Sequence, residues 1–393
     1  MSAAEKFLEA GQTAKAKAAA EQALAKKPQD RSALVVLGKV LLLEGQLEKA
    51  EQHIALAEKQ GVTAETLLLR ANLASQRGQQ EPAVGYFRQV LSREPQRAEA
   101  CFGLGLVLFK QGKTAEALAA LAKAVQLQPK NAVFVYRYGQ VLHEAGQTDK
   151  GLQTMAQAIT LQPRFLAPYL SLIEALVEEG RALQARKLVN EGLREMPNHP
   201  RLLAALTAIS LGMGDARTSY QAASTLANQR PKDPQAQANL ALLLLLRGQP
   251  KDALHLCRTM ESLGLATAEL KMIEATAHEA AEPPAYEKAM AAYEEAMGLD
   301  PKGWKAPNNL GQLLMRMPAT PPEKLMPRAV TVLEEAVRRK PDQPEPHLNL
   351  ALAYTRTGDK AKAQAQAQAV LAANLPPESD LREQAERLLK VLG

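Results

Sequence analysis

The residues able to do chemistry in this 393-residue chain are few and scattered. His143-Glu144 and His278-Glu279 each lack a second histidine four residues on, so neither has the spacing that holds zinc on one helix face. Gly103 and Gly105 fall inside a helical register rather than after a strand, which removes the phosphate-cradling reading. No nucleophile elbow occurs. Cys101 and Cys257 sit far apart, and Cys101 falls at a packing position, as a small buried hydrophobe does. No enzyme activity, cofactor or metal is expected. What remains is chemistry of recognition: side-chain amides, which donate and accept at once, and a local excess of cations. Between Pro301 and Pro341 stand eight Lys or Arg against three Glu, which is +5 of the chain's formal net charge of +6.

The elements that must position these groups show in a beat. Gly11, Gly45, Gly78, Gly112, Gly146, Gly180, Gly214 and Gly248 recur every 33 or 34 residues, and Gly358 follows after three more periods and an insertion. Self-similarity at such a period marks stacked helices. Seventeen residues after most of these glycines stands a proline, from Pro28 to Pro231; five residues after comes a small residue such as Ala16, Ala117 or Gly151. A glycine that takes positive φ ends one helix, and a proline ends the next. Apolar residues between them recur at three and four, as in Leu34, Leu37 and Leu41. Segments of about 12–15 residues are marginal alone, so each pair needs its neighbours.

The pattern resembles the tetratricopeptide repeat (TPR) family: Gly or Ala in the first helix, Gly at the turn, Ala twice in the second helix, Pro at the end. Residues 130–163, KNAVFVYRYGQVLHEAGQTDKGLQTMAQAITLQP, carry it well. The resemblance implies an all-α, right-handed superhelical solenoid of antiparallel helix pairs, about eleven repeats, with first helices lining the concave face. It also implies peptide or protein binding. The solenoid is expected over 1–375, more regular over 1–265, degenerate or inserted over 266–341 and regular over 342–375. Repeat nine departs from the beat, with a longer turn at Glu282-Pro283-Pro284, and a proline-rich inserted loop is expected at roughly Met317–Pro327. Residues 376–393 are expected to form a C-terminal capping helix, with Leu381, Ala385, Leu388, Leu389 and Leu392 on one stripe.

Composition agrees: 46% hydrophobic but only 4% aromatic residues suit Ala- and Leu-rich helices. No segment approaches 18 uninterrupted apolar residues, so no membrane span is expected. Taking Met1 as the natural start, the charged first 27 residues lack a secretory pattern, and a cytoplasmic location is expected. Ser2 and Glu5 read as a capping box.

The register then selects candidate surfaces. In repeats four and five the exposed first-helix positions are Phe102, Leu106, Phe109, Lys110, Tyr136, Arg137, Gln140 and His143, an apolar trough with a polar border suited to an amphipathic helix or extended peptide. Near the C-terminal end, Lys305, Asn308, Asn309, Gln312 and Arg316 share one face of repeat ten, with Asn349 and Arg356 beside them. Asn239, Asn309 and Asn349 occupy one equivalent position, where TPR proteins that grip extended peptides often place asparagine. Val36, Leu69, Gly103, Arg137 and Ser171 hold that position elsewhere, so the ladder is partial. The charge suggests a partner with an acidic segment.

The reading is a non-enzymatic scaffold or adaptor, in a bacterial-type assembly, that binds a peptide or helix of a protein partner in the groove. A small-molecule substrate is not expected, and the basic excess lacks the interleaved aromatics of a nucleic-acid surface. A self-assembling protein stacking or dimerising through its end repeats is the alternative. A carboxylate-clamp cochaperone is a lesser one, since Lys305, Asn309 and Arg356 supply fragments of that set out of order.

Overall fold

A computed structural model of the chain describes residues 2–317, 322–376 and 378–393, without the side chains of residues 322–324. The described residues form 23 helices and no strand. None of these helices is long and apolar enough to cross a membrane. Contacts divide the chain into two compact units, residues 1–197 and 198–393.

The first unit runs in helix pairs: α1 and α2 (Ala3–Glu9, Thr13–Lys26), α3 and α4 (Arg31–Leu43, Leu47–Glu58), α5 and α6 (Ala64–Gln76, Gln80–Arg93). It continues through α7 and α8 (Ala98–Lys110, Thr114–Leu127), α9 and α10 (Ala132–Glu144, Thr148–Leu161), α11 and α12 (Leu166–Glu178, Ala182–Glu195). The turn inside each pair holds one of the periodic glycines, with φ between 70° and 82°. That conformation strains any side chain with a Cβ. The second helices stop two residues before their prolines; Gln128, for example, is pushed to φ −132° ahead of Pro129, because proline excludes the helical conformation from the residue before it.

Packing explains the small residues. Ala16, Ala50, Ala83, Ala117 and Ala185 are fully buried. At α9 and α10 the approach is closest: a Cβ on Gly139 would meet the Gly151 carbonyl at 2.9 Å, and one on Gly151 would meet the His143 amide nitrogen at 2.7 Å. Cys101 is buried among Ala98, Ala124 and Phe134. The expected capping box at the start of α1 is formed, with the Ser2 amide donating to Glu5 Oε2 at 2.6 Å and the Glu5 amide to Ser2 Oγ at 3.2 Å.

The second unit holds α13 and α14 (Pro200–Gly212, Ala216–Gln229), α15 and α16 (Pro234–Leu246, Pro250–Ser262), α17 and α18 (Ala268–Glu279, Tyr286–Leu299). Then come α19 and α20 (Lys305–Arg316, Pro322–Arg339), α21 and α22 (Pro344–Thr357, Lys360–Ala372) and a single α23 (Asp380–Leu392). Helix α23 caps the unit: Ala385, Leu388 and Leu392 are buried against α21 and α22, while Glu383, Glu386, Arg387 and Lys390 face outward.

Of the two irregular segments, one matches expectation and one differs. The link between α17 and α18 is the longer turn foreseen, closed by the Ala285 amide donating to the His278 carbonyl at 2.9 Å. The Met317–Pro327 segment, expected to be a loop, lies partly outside the described residues; from Pro322 on it is helix, and Leu325 is buried in the core with Ala329 and Leu310. An apolar residue four positions before Ala329 lands on the buried face of α20 and extends the helix backward.

Candidate functional site

In the first unit, packing consumes the aromatic trough. The Phe102 ring stacks on Phe134, with centroids 4.3 Å apart and planes 17° from parallel. Phe109 packs on the core formed by α5 to α8, and Leu106 is half-buried. Tyr136, expected to be exposed, is buried at 8% relative exposure. Its hydroxyl shares a 2.9 Å hydrogen bond with Ser171 Oγ, and its ring meets Phe165 edge-on at 5.3 Å. A phenol buried on a neighbouring helix with its hydroxyl satisfied is a packing element rather than an exposed anchor. Arg137 is exposed and donates to Gln140 Oε1 at 2.8 Å. Gln140 and His143 do line a pocket, but a small one of about 160 Å³, whose other walls include Glu144, Glu174 and Glu178 rather than apolar rings.

In the second unit, part of the expected set converges and part does not. Asn309, Gln312 and Arg316 project from α19 into a pocket of about 560 Å³. Thr276 and Glu279 of α17, Ala280 just after it, Tyr286 and Tyr293 of α18 and Leu313 of α19 complete it. Lys305 lies at the opposite end of α19, in a separate pocket of about 420 Å³ with Trp304, Glu269 and Asp300. Arg356, on α21, donates to the Met315 carbonyl at 2.6 Å.

Asn308 and Asn349, expected on the exposed face, are buried at 4% and 8% exposure. The Asn349 Nδ2 donates to Asn308 Oδ1 at 2.8 Å, and the Asn308 Nδ2 donates to Asn309 Oδ1 at 3.3 Å. The physical reason is mutual satisfaction: a buried amide must find partners, and two amides on facing helices supply them. Asn239 is half-buried and accepts from Gln235 Nε2 at 3.3 Å.

Four of the eight basic residues between Pro301 and Pro341 pair with carboxylates of the same unit. Arg316 pairs with Glu279 at 2.8 Å, Arg328 with Glu294, and Arg338 and Arg339 both with Glu335. Sequence reasoning missed the acidic partners because they come from helices one step away, except Glu335, which sits on α20 itself. It also missed the centre of the network, Lys271. This side chain, 8% exposed, contacts Glu261 at 2.7 Å, Glu274 at 3.0 Å and Glu295 at 2.7 Å. Burial opposes its charge, but its hydrogen bonds to three carboxylates outweigh that and hold the ammonium above its usual range. Tyr286, Tyr293 and Glu279 were missed too. Their one visible signal was the break of register in repeat nine. Burial raises the Tyr293 phenol above the tyrosine range, and its hydroxyl donates to Glu279 Oε1 at 2.7 Å.

Paired helices with periodic turn glycines define a repeat protein of the kind that generally serves as a protein–protein interaction scaffold. Three sequence models, each described as tetratricopeptide repeat, match the chain: one over residues 7–73, 108–158 and 142–209, one over 68–132 and 326–379, one over 234–259. The chain belongs to the tetratricopeptide-repeat family. No curated protein matches it in sequence. Among solved structures, yeast Tom70 is similar at 13% identity, over 99% of this chain and 93% of that one, with a TM-score of 0.52. The Cut9–Hcn1 hetero-tetramer of the APC/C aligns at 14% identity over 98% and 89% of the two chains, TM-score 0.48. Pseudomonas aeruginosa PilF aligns at 19% identity over 54% and 97%, TM-score 0.44. At these identities the likeness to Tom70 concerns the fold.

Proposed function

We propose that this protein is a non-enzymatic scaffold that holds an extended segment of a protein partner along the first helices of its second unit. The observation that carries this is the pocket between α17 and α19, where the amides of Asn309 and Gln312 stand beside Tyr286 and Tyr293. An amide that donates and accepts matches a peptide backbone whatever its side chains, and the half-buried Tyr286 ring gives contact area at low entropic cost. On α15 the exposed Leu242 and Leu246 continue an apolar stripe beside Asn239, as a segment lying across several first helices requires.

Affinity capture from native lysate, read by mass spectrometry, tests it. An Asn309→Ala/Gln312→Ala variant that keeps wild-type helicity and melting is expected to lose the partner, while Arg137→Ala in the first unit retains it. Retention of the partner by the double variant would overturn the reading.

A further inference from the structure

Glu279 is the carboxylate that faces the α17–α19 pocket, and Arg316 is the cation that lines it. Their burial is unequal: the Glu279 side chain is 16% exposed and the Arg316 side chain 63%. One oxygen of Glu279 is held from within by Tyr293, itself only 2% exposed. The other accepts from Arg316 Nη2 at 2.8 Å. Among the described residues, Arg316 is otherwise bound only by a 3.3 Å contact from its Nε to the Gln312 carbonyl one turn back. A buried carboxylate needs a cation or donors, whereas a solvated guanidinium gives up an ion pair at little cost. Tyr286, half-buried at the pocket wall, offers surface that suits the methylene stem of a long cationic side chain, and its aromatic face favours the charge.

We propose that this pocket receives an arginine or lysine side chain of the partner's extended segment, with Glu279 as counter-ion and Arg316 as the chain's own stand-in for that side chain. This rests on the reading of the groove as a peptide site, and it sets the sign of the partner's charge opposite to the one suggested by the basic residues of α19 and α20. An incoming guanidinium displaces Arg316 into solvent and keeps Glu279 neutralised. An incoming carboxylate meets Glu279 across the pocket and depends on Arg316 alone.

Full-length protein carrying ¹³C-labelled tyrosine would be titrated with capped peptides Gly-Ser-Gly-X-Gly-Ser-Gly, X being arginine, lysine, norleucine or glutamate. The arginine and lysine peptides are expected to shift the ring signals of Tyr286 and Tyr293 at lower concentration than the other two. Glu279→Gln, which keeps an acceptor for Tyr293, is expected to weaken arginine-peptide binding about tenfold or more, the weight of a charged hydrogen bond. Arg316→Ala is expected to strengthen it about two- to fivefold, the weight of an exposed ion pair. A glutamate peptide that binds best and is lost in Arg316→Ala would overturn this inference and leave the groove reading standing. If none of the four peptides moves either tyrosine, both fall.

Discussion

Asn349 and Asn308 form a buried amide pair between α21 and α19, the Nδ2 of the first donating to the Oδ1 of the second at 2.8 Å. Asn349 holds a position of the expected asparagine ladder, yet it bonds to Asn308 instead of facing a ligand. The pair ties the last repeat to the wall of the pocket, since Asn308 in turn donates to Asn309, which lines it. Only Asn309 of the three is left with amide surface toward a ligand.

Removing one partner of this pair should cost more than removing both. Asn349→Ala leaves the Asn308 carbonyl oxygen buried without its donor, at about 1–3 kcal/mol, while an Asn308→Leu/Asn349→Leu double variant restores an apolar contact. A repeat array does not unfold as one unit. The measurement is therefore amide hydrogen exchange in α19 and α21, where the single variant is expected to exchange faster and the double variant near the wild-type rate. Equal loss in both variants would show that the bond matters less than side-chain volume.

Two helical glycines should respond to alanine in opposite directions. A methyl on Gly139 would press on the Gly151 carbonyl at 2.9 Å, the Met155 amide nitrogen at 2.9 Å and Met155 Cγ at 2.8 Å. Two of these are backbone atoms that cannot rotate away, so Gly139→Ala should destabilise by about 1–3 kcal/mol. Around Gly85, exposed on α6, nothing lies within 4 Å. Gly85→Ala should stabilise by about 0.5–1 kcal/mol through backbone entropy. Chemical denaturation of the two variants beside the wild type decides; the same sign for both would count against the packing argument.

Acidification should weaken the second unit through His278. Burial, at 6% exposure, pushes this imidazole below the ordinary histidine value; Glu274 at 3.9 Å opposes the shift, and Lys288 and Arg258 reinforce it. A depressed value means that the folded state prefers the neutral ring. Stability is then fully present above the ordinary value of about 6.5. It falls as the pH drops below that toward the folded value, because the unfolded chain takes up the proton first. Melting followed by circular dichroism is expected to show a drop from pH 7 to pH 5 that His278→Gln reduces. His53 of the first unit, also depressed by burial, accounts for a further part, so His53→Gln/His278→Gln should flatten the profile more. Identical pH slopes for wild type and the double variant would exclude this origin.

The amino-acid sequence alone determined the helix pairs, their turns and the family. Those features are local: a glycine that must adopt positive φ at Gly146, a proline that ends a helix at Pro129, a small residue where Ala117 meets the helix before it. Each leaves its mark at a fixed offset, and repetition makes the mark unmistakable. The stripe of α23 was legible for the same reason, because a helix carries its amphipathic pattern within its own residues. Surface identity was not local. Tyr136 and Asn349 sit at positions that periodicity assigns to an open face, yet Ser171 and Asn308, 35 and 41 residues away, bury them. Arg316 counts as a free cation until Glu279 is found 37 residues back. Burial and pairing of a side chain depend on which neighbouring helix lies across from it and how far away. Only the tertiary structure decided that: it buries Tyr136 of the first-unit trough and sets Asn309, Gln312 and Arg316, which the register had already selected, beside Tyr286 and Glu279.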